Sequence, residues 1–203
     1  MKFLRRYPEY LQFIGAGTED EKEPEDQTPQ EVLEDAYQQI RDALADTLLS
    51  YVLNSAAGFF EKLVVELLVK MGYGGSRREA ARAVGKSGDQ GIDGIIDEDR
   101  LGLDVIYVQA KKWNTDHAVG RPEIQKFVGA LHGKRARRGI FITTSRFTDD
   151  ARQYTGQIET KVVLIDGDRL TDLMIDHDVG VSLLTAYEVK RVDSDYFGES
   201  VGG

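Results

Sequence analysis

The chain has 203 residues, 41% hydrophobic and 30% charged, enough for one domain with a sizeable core and too apolar for a disordered or fibrous protein. It has no cysteine and three scattered histidines, which excludes disulfide scaffolds, zinc–thiolate sites and cysteine catalysis and suits a cytoplasmic protein. The net charge of −9 hides a split: residues 1–50 carry 5 basic and 12 acidic side chains, residues 51–150 carry 16 and 13, and residues 151–203 carry 5 and 10.

In chain order, residues 1–14 are aromatic and basic, with no long apolar core and no small-residue cleavage site, so no signal peptide is expected. Residues 18–31 are acidic, contain two prolines and read as a linker. From Pro29 to Asn54, Leu33, Tyr37, Ile40, Leu44, Leu48 and Tyr51 recur at helical steps, and Thr28 with Glu31 forms a capping box. A second helix is expected from a Ser55 cap to Met71, with Gly72 as its stop. Residues 72–91 read as a loop. The period then changes: strands are expected at 92–97 and 103–111, a helix at 123–131, a buried strand at 139–144, a helix at 147–158, a buried strand at 161–165, a short helix at 170–175 and a last strand within 181–192. The tail from Asp193 is expected to fray. No apolar run approaches the ~18 residues of a membrane span. The alternation suggests a mixed sheet flanked by helices.

Chemistry concentrates in GIDG (91–94) and QAK (109–111). Asp93 sits between glycines that permit close approach of a bulky ligand. Gln109 and Lys111 lie two apart on one strand, so they share a sheet face. A hairpin through residues 98–102 brings Asp93 towards them. A carboxylate, neutral oxygen donors and an ammonium on one face suit metal-assisted phosphodiester hydrolysis: Asp93 with the Gln109 amide oxygen and the Ala110 carbonyl for Mg²⁺, and Lys111 for the attacking water and the phosphoryl charge. The spacing alone is a weak signal, since Asp93 in a turn and Lys111 in solvent would give it too. A polar Gln109 inside an apolar strand favours the functional reading. Glu61, early in an apolar helix, either aims at the same metal or is an exposed helix acid.

These stretches, with FFEKLVVELLVKMGYGG, VGRPEIQKFVGAL and GIFITTSRFTDDAR, resemble the catalytic domain of Mrr-type restriction endonucleases, of the PD-(D/E)xK nuclease superfamily, from about Pro29 to Phe197. The resemblance implies an α/β fold with an αβββαβ core, here with an N-terminal helical extension. It implies Mg²⁺-dependent cleavage of double-stranded DNA, with Mn²⁺ as a substitute, in type IV restriction of methylated DNA. Asp93 matches the metal-binding acid, Gln109 the Mrr-type replacement of the usual acid, Lys111 the catalytic lysine, and Glu61 the helix acid. Relatives usually carry an N-terminal winged-helix DNA reader, of which residues 1–28 hold at most the end. The expected organisation is therefore a tail at 1–28, a helical extension at 29–54, a catalytic domain at 55–192 and a C-terminal tail at 193–203.

The basic middle of the chain offers candidate DNA contacts: Lys112, Gln125, Lys86 in a loop with Arg77, Arg78 and Arg82, and Lys134 with Arg135 in HGKRARRG. Each has a plainer reading as a solvated charge or an exposed helix residue. Trp113 either contacts DNA or caps the core. Thr143, Thr144 and Ser145 either line a cleft or cap the next helix. One site cuts one strand, so a homodimer or higher oligomer is expected, with the helix at 29–52 as one candidate interface. The alternatives are a structure-selective nuclease of the same fold and a non-enzymatic DNA-binding module with a decayed site; the intact lysine argues against the latter.

Overall fold

The computed structural model describes residues 27–74, 92–97 and 104–198. Its elements are α1 (Pro29–Asn54), α2 (Ala57–Lys70), β1 (Gly94–Asp97), β2 (Val105–Lys111), α3 (Arg121–Gly133), β3 (Arg138–Thr143), α4 (Asp149–Gln157), β4 (Lys161–Ile165), α5 (Gly167–Asp176) and α6 (Ser194–Gly198). The chain divides into two compact units, Met1–Ala43 and Leu44–Gly203.

In the first unit, Thr28 and Glu31 cap α1 reciprocally. The Thr28 N–H donates to Glu31 Oε2 at 2.6 Å, and the Glu31 N–H donates to Thr28 Oγ1 at 3.3 Å. These bonds, first the one from the Thr28 backbone, hold the Glu31 carboxyl below its ordinary value. Val32, Leu33, Tyr37 and Ile40 are exposed.

The second unit is a four-stranded sheet in the order β1-β2-β3-β4. β1 and β2 are antiparallel; β2, β3 and β4 are parallel, joined by crossover helices α3 and α4. The two faces of the sheet carry separate cores. Ile106 and Val108 of β2, with Ile140, Ile142 and Ile165, pack against α2, α5 and the end of α1. Phe141 and the partly buried Tyr107 face α3 and α4, with Phe127 and Phe147 edge-on to Phe141. Gly139 allows this second layer to close, because a Cβ there would lie 2.7 Å from Phe127 Cζ and 2.8 Å from Leu131 Cδ1.

The mixed sheet with flanking helices is the expected α/β architecture. In the described residues the order is two helices, two antiparallel strands, helix, strand, helix, strand and two helices; any strand of an αβββαβ core before Ile92 lies outside them. Several expectations change at the level of elements. The cap of α2 is Ala56, and the Ser55 hydroxyl instead donates to the Val52 carbonyl at 2.7 Å. Leu48 and Val52 of α1 are buried in the core, so the expected boundary at 54/55 falls inside the second unit. β4 is an edge strand with Val163 45% exposed, rather than a buried one. The strand expected within 181–192 does not form: residues 181–193 have no regular structure, because no sheet edge pairs with them.

Candidate active site

The β1–β2 register, Gly94 opposite Val108, extends one residue further: the Asp93 N–H donates to the Val108 carbonyl at 2.9 Å. This fixes the Asp93 backbone, and its Oδ2 accepts the Ala110 N–H at 2.8 Å. The site therefore lies just before the start of β1, beside the last residues of β2. Burial pushes the Asp93 carboxyl above its ordinary value, while the Ala110 N–H and the nearby Lys111 charge pull the other way.

Gln109 is only 6% exposed, between Phe141 on the neighbouring strand and the end of β1. Its Oε1 is buried with no hydrogen-bond partner. Such an atom in an ordinary core would cost about 1–3 kcal/mol, and it is a ready oxygen ligand. Period-two geometry puts Lys111 on the same face. The Lys111 ammonium lies 2.7 Å from Glu123 Oε2 and 5.2 Å from the centroid of the Trp113 ring.

Glu123 is a site residue the sequence reading missed. It is in the first turn of α3, where a carboxylate is favoured by the helix dipole, and its other oxygen meets Lys126 Nζ at 2.6 Å. Hydrogen bonds from Lys111 and then Lys126 hold its carboxyl below the ordinary value. A signal was present: an acid directly after Arg121–Pro122, with a lysine at i+3.

The remaining candidates fall into three places. Glu61 is half-buried on α2, the helix against the Ile106 and Val108 face, and no hydrogen bond or ion pair joins it to Asp93, Gln109 or Lys111. Among the described residues no three His, Asp or Glu side chains cluster as a metal cage. Lys112 was expected at the DNA backbone; its ammonium instead donates to the Leu53 carbonyl at 3.1 Å and to the Ser55 carbonyl, tying β2 to the end of α1. Gln125 is exposed on α3. Lys134 and Arg135 are exposed just beyond the other end of α3, roughly 16 Å along the helix from Glu123. They flank the start of β3, whereas Lys111 stands beside Thr143 at its end. Lys86 lies outside the described residues.

Behind Lys111 the hydroxyls act as staples. Thr144 Oγ1 accepts the Trp113 N–H at 2.9 Å and donates to the Trp113 carbonyl at 2.6 Å. Ser145 Oγ donates to the His117 carbonyl, and Thr143 Oγ1 accepts the Ser145 N–H at 3.1 Å. Trp113 itself is partly buried against the α3–α4 core.

A family model described as restriction endonuclease, for the Mrr catalytic domain, matches residues 53–174. The type IV methyl-directed restriction enzyme EcoKMrr of Escherichia coli (strain K12) is 46% identical over 182 residues, 90% of this chain. The chain spans 58% of that relative's length. Two solved structures are similar over 81% of the chain: MspJI restriction endonuclease in complex with a 27-mer oligonucleotide (22% identity, TM-score 0.49, 36% of that chain) and the DNA modification-dependent restriction endonuclease AspBHI (18%, 0.48, 39%).

Proposed function

The chain belongs to the restriction endonuclease family of the Mrr catalytic domain, and from that premise we propose that it is the catalytic part of a methylation-directed enzyme that hydrolyses phosphodiester bonds of double-stranded DNA. The observation that carries this reading is the partnerless, buried Gln109 Oε1 on the Lys111 face and beside Asp93.

The donor set fits a hard divalent cation, Mg²⁺ or Mn²⁺: one carboxylate (Asp93), one amide oxygen (Gln109) and the Ala110 carbonyl. The chemistry such a cation supplies is polarisation of the scissile phosphate and acidification of a bound water. Glu61 is the further carboxylate that the family pattern offers, on α2 and without a bond to Asp93, Gln109 or Lys111. Lys111 places a positive charge where negative charge builds on the phosphoryl oxygens, and it orients the attacking water. Glu123 holds that ammonium in place between turnovers.

The name of the Escherichia coli relative supports methylated DNA as the substrate. A double-strand break needs two such sites, hence a homo-oligomer. A cytoplasmic location fits a DNA substrate and a cysteine-free sequence; among the described residues no helix is long and apolar enough to cross a membrane.

The test is nicking and linearisation of methylated and unmethylated supercoiled plasmid with Mg²⁺, with Ca²⁺ and with chelator. The chain should cut with Mg²⁺ alone. Asp93→Asn and Lys111→Ala should each lose at least about 10²-fold in rate. Variants that cut as fast as the parent would overturn the assignment.

A further inference from the structure

Two apolar surfaces of the second unit have no partner among the described residues. The first is the segment that follows Gly180. Val181 packs on the core, but Leu183, Leu184, Tyr187, Val189 and Val192 are all at least 70% exposed. From Tyr187 to Lys190 apolar and charged residues alternate, the pattern of a strand with one face to bury. The second is a hollow of about 490 Å³ lined by Leu48, Tyr51, Val52, Phe59, Met174 and Gly180, among others. No described residue beyond Gly180 lines it. Tyr51 and Phe59 stand open to solvent at its rim.

We propose that the arm from Ser182 to Val192 seats in the hollow of a second copy of this chain, and that the second copy returns its own arm. The arm begins at the hollow's edge, at Gly180, whose φ of +71° is a backbone conformation few other residues tolerate. A hinge beside the receptor is the arrangement of a segment exchanged between identical chains. Charge excludes DNA as the occupant, because Ser182–Asp193 carries Glu188 and Asp193 against Lys190 and Arg191. Area favours a pair. Three apolar side chains on one face, Leu183, Tyr187 and Val189, bury on the order of 100 Å² each; two arms and two hollows together remove roughly 1,200 Å², above the ~1,000 Å² that a specific interface needs. The pairing stands independently of the nuclease reading and gives it two sites in one particle.

The native chain lacks cysteine, so single cysteines report the contact cleanly. Leu184→Cys and Tyr51→Cys are made on separate chains, one carrying a size tag, then mixed and oxidised. The expected result is a disulfide-linked heterodimer on a non-reducing gel, at least tenfold above either variant alone. It should vanish when Leu183→Asp and Tyr187→Asp are added to the arm. These side chains are exposed within their own chain, so the far-UV circular dichroism of that variant should match the parent's and show that it still folds. No cross-link in the mixture overturns the proposal. So does a Leu184→Cys/Tyr51→Cys chain that closes on itself while the mixture gives nothing, since the arm would then cover its own hollow. The gel needs no DNA: an inert but cross-linked protein would sink only the nuclease reading, and a monomeric chain that nicks plasmid would sink only the exchange.

Discussion

A buried amide oxygen with no partner is destabilising by about 1–3 kcal/mol, and Gln109 carries one at the centre of the site. Replacing it with an apolar side chain of similar shape should therefore separate stability from function. Gln109→Leu is expected to melt at or above the parent temperature and to lose at least about 10²-fold in cleavage. A variant that melts lower and cuts normally would make Gln109 an ordinary core residue. Glu123 gives a second test. Its folded carboxyl titrates below the usual 4.5, chiefly because of Lys111. A lowered carboxyl contributes stability fully above the unfolded value and loses it as pH falls through the folded one. The melting gap between the parent and Glu123→Gln should be widest at neutral pH and close as pH drops below 4.5; melts at several pH values read it, and a constant gap would mean that the ion pairs do not support the fold. The shared sheet face of Gln109 and Lys111 was legible because period two needs only the strand they lie on. Glu123 was hidden because its role arises from the approach of α3 to β2, twelve residues after Lys111. The bonds of Lys112 were hidden for a related reason: its acceptors, Leu53 and Ser55, are more than fifty residues earlier.

At the scale of elements, the site depends on how closely α3 lies on the sheet. Gly139 sets that distance, and Gly139→Ala would press a methyl into Phe127 and Leu131. The expected cost is about 1–3 kcal/mol, with a fall in cleavage as the Glu123 turn moves away from Lys111. Thermal melts and plasmid nicking measure both; an unchanged melting temperature would show that the helix has slack. Helices and strands were mostly legible because each has its own hydrophobic period. The segment 181–192 was not, since β-branched and aromatic residues report a preference for extended backbone and say nothing of whether a sheet edge is free nearby. The exposed Val163 has the same origin: KVVLI reads as buried, yet β4 is the last strand of the sheet among the described residues.

For the whole molecule, charge by segment pointed to the middle of the chain, but the fold sends those cations to different places. Lys111 and Lys126 meet at Glu123, Lys112 is spent on helix carbonyls, and Lys134 and Arg135 stand at the far end of α3. Only a folded chain sorts such residues by role. The arm beyond Gly180 has a further consequence, for turnover. Lys190 and Arg191 lie in exposed, irregular backbone, the form of chain that proteases nick most readily. A copy with its arm seated in a partner shields that bond; a solitary copy displays it. Degradation would then fall on unpaired subunits and spare the assembled ones, so that the surviving population is enriched in pairs.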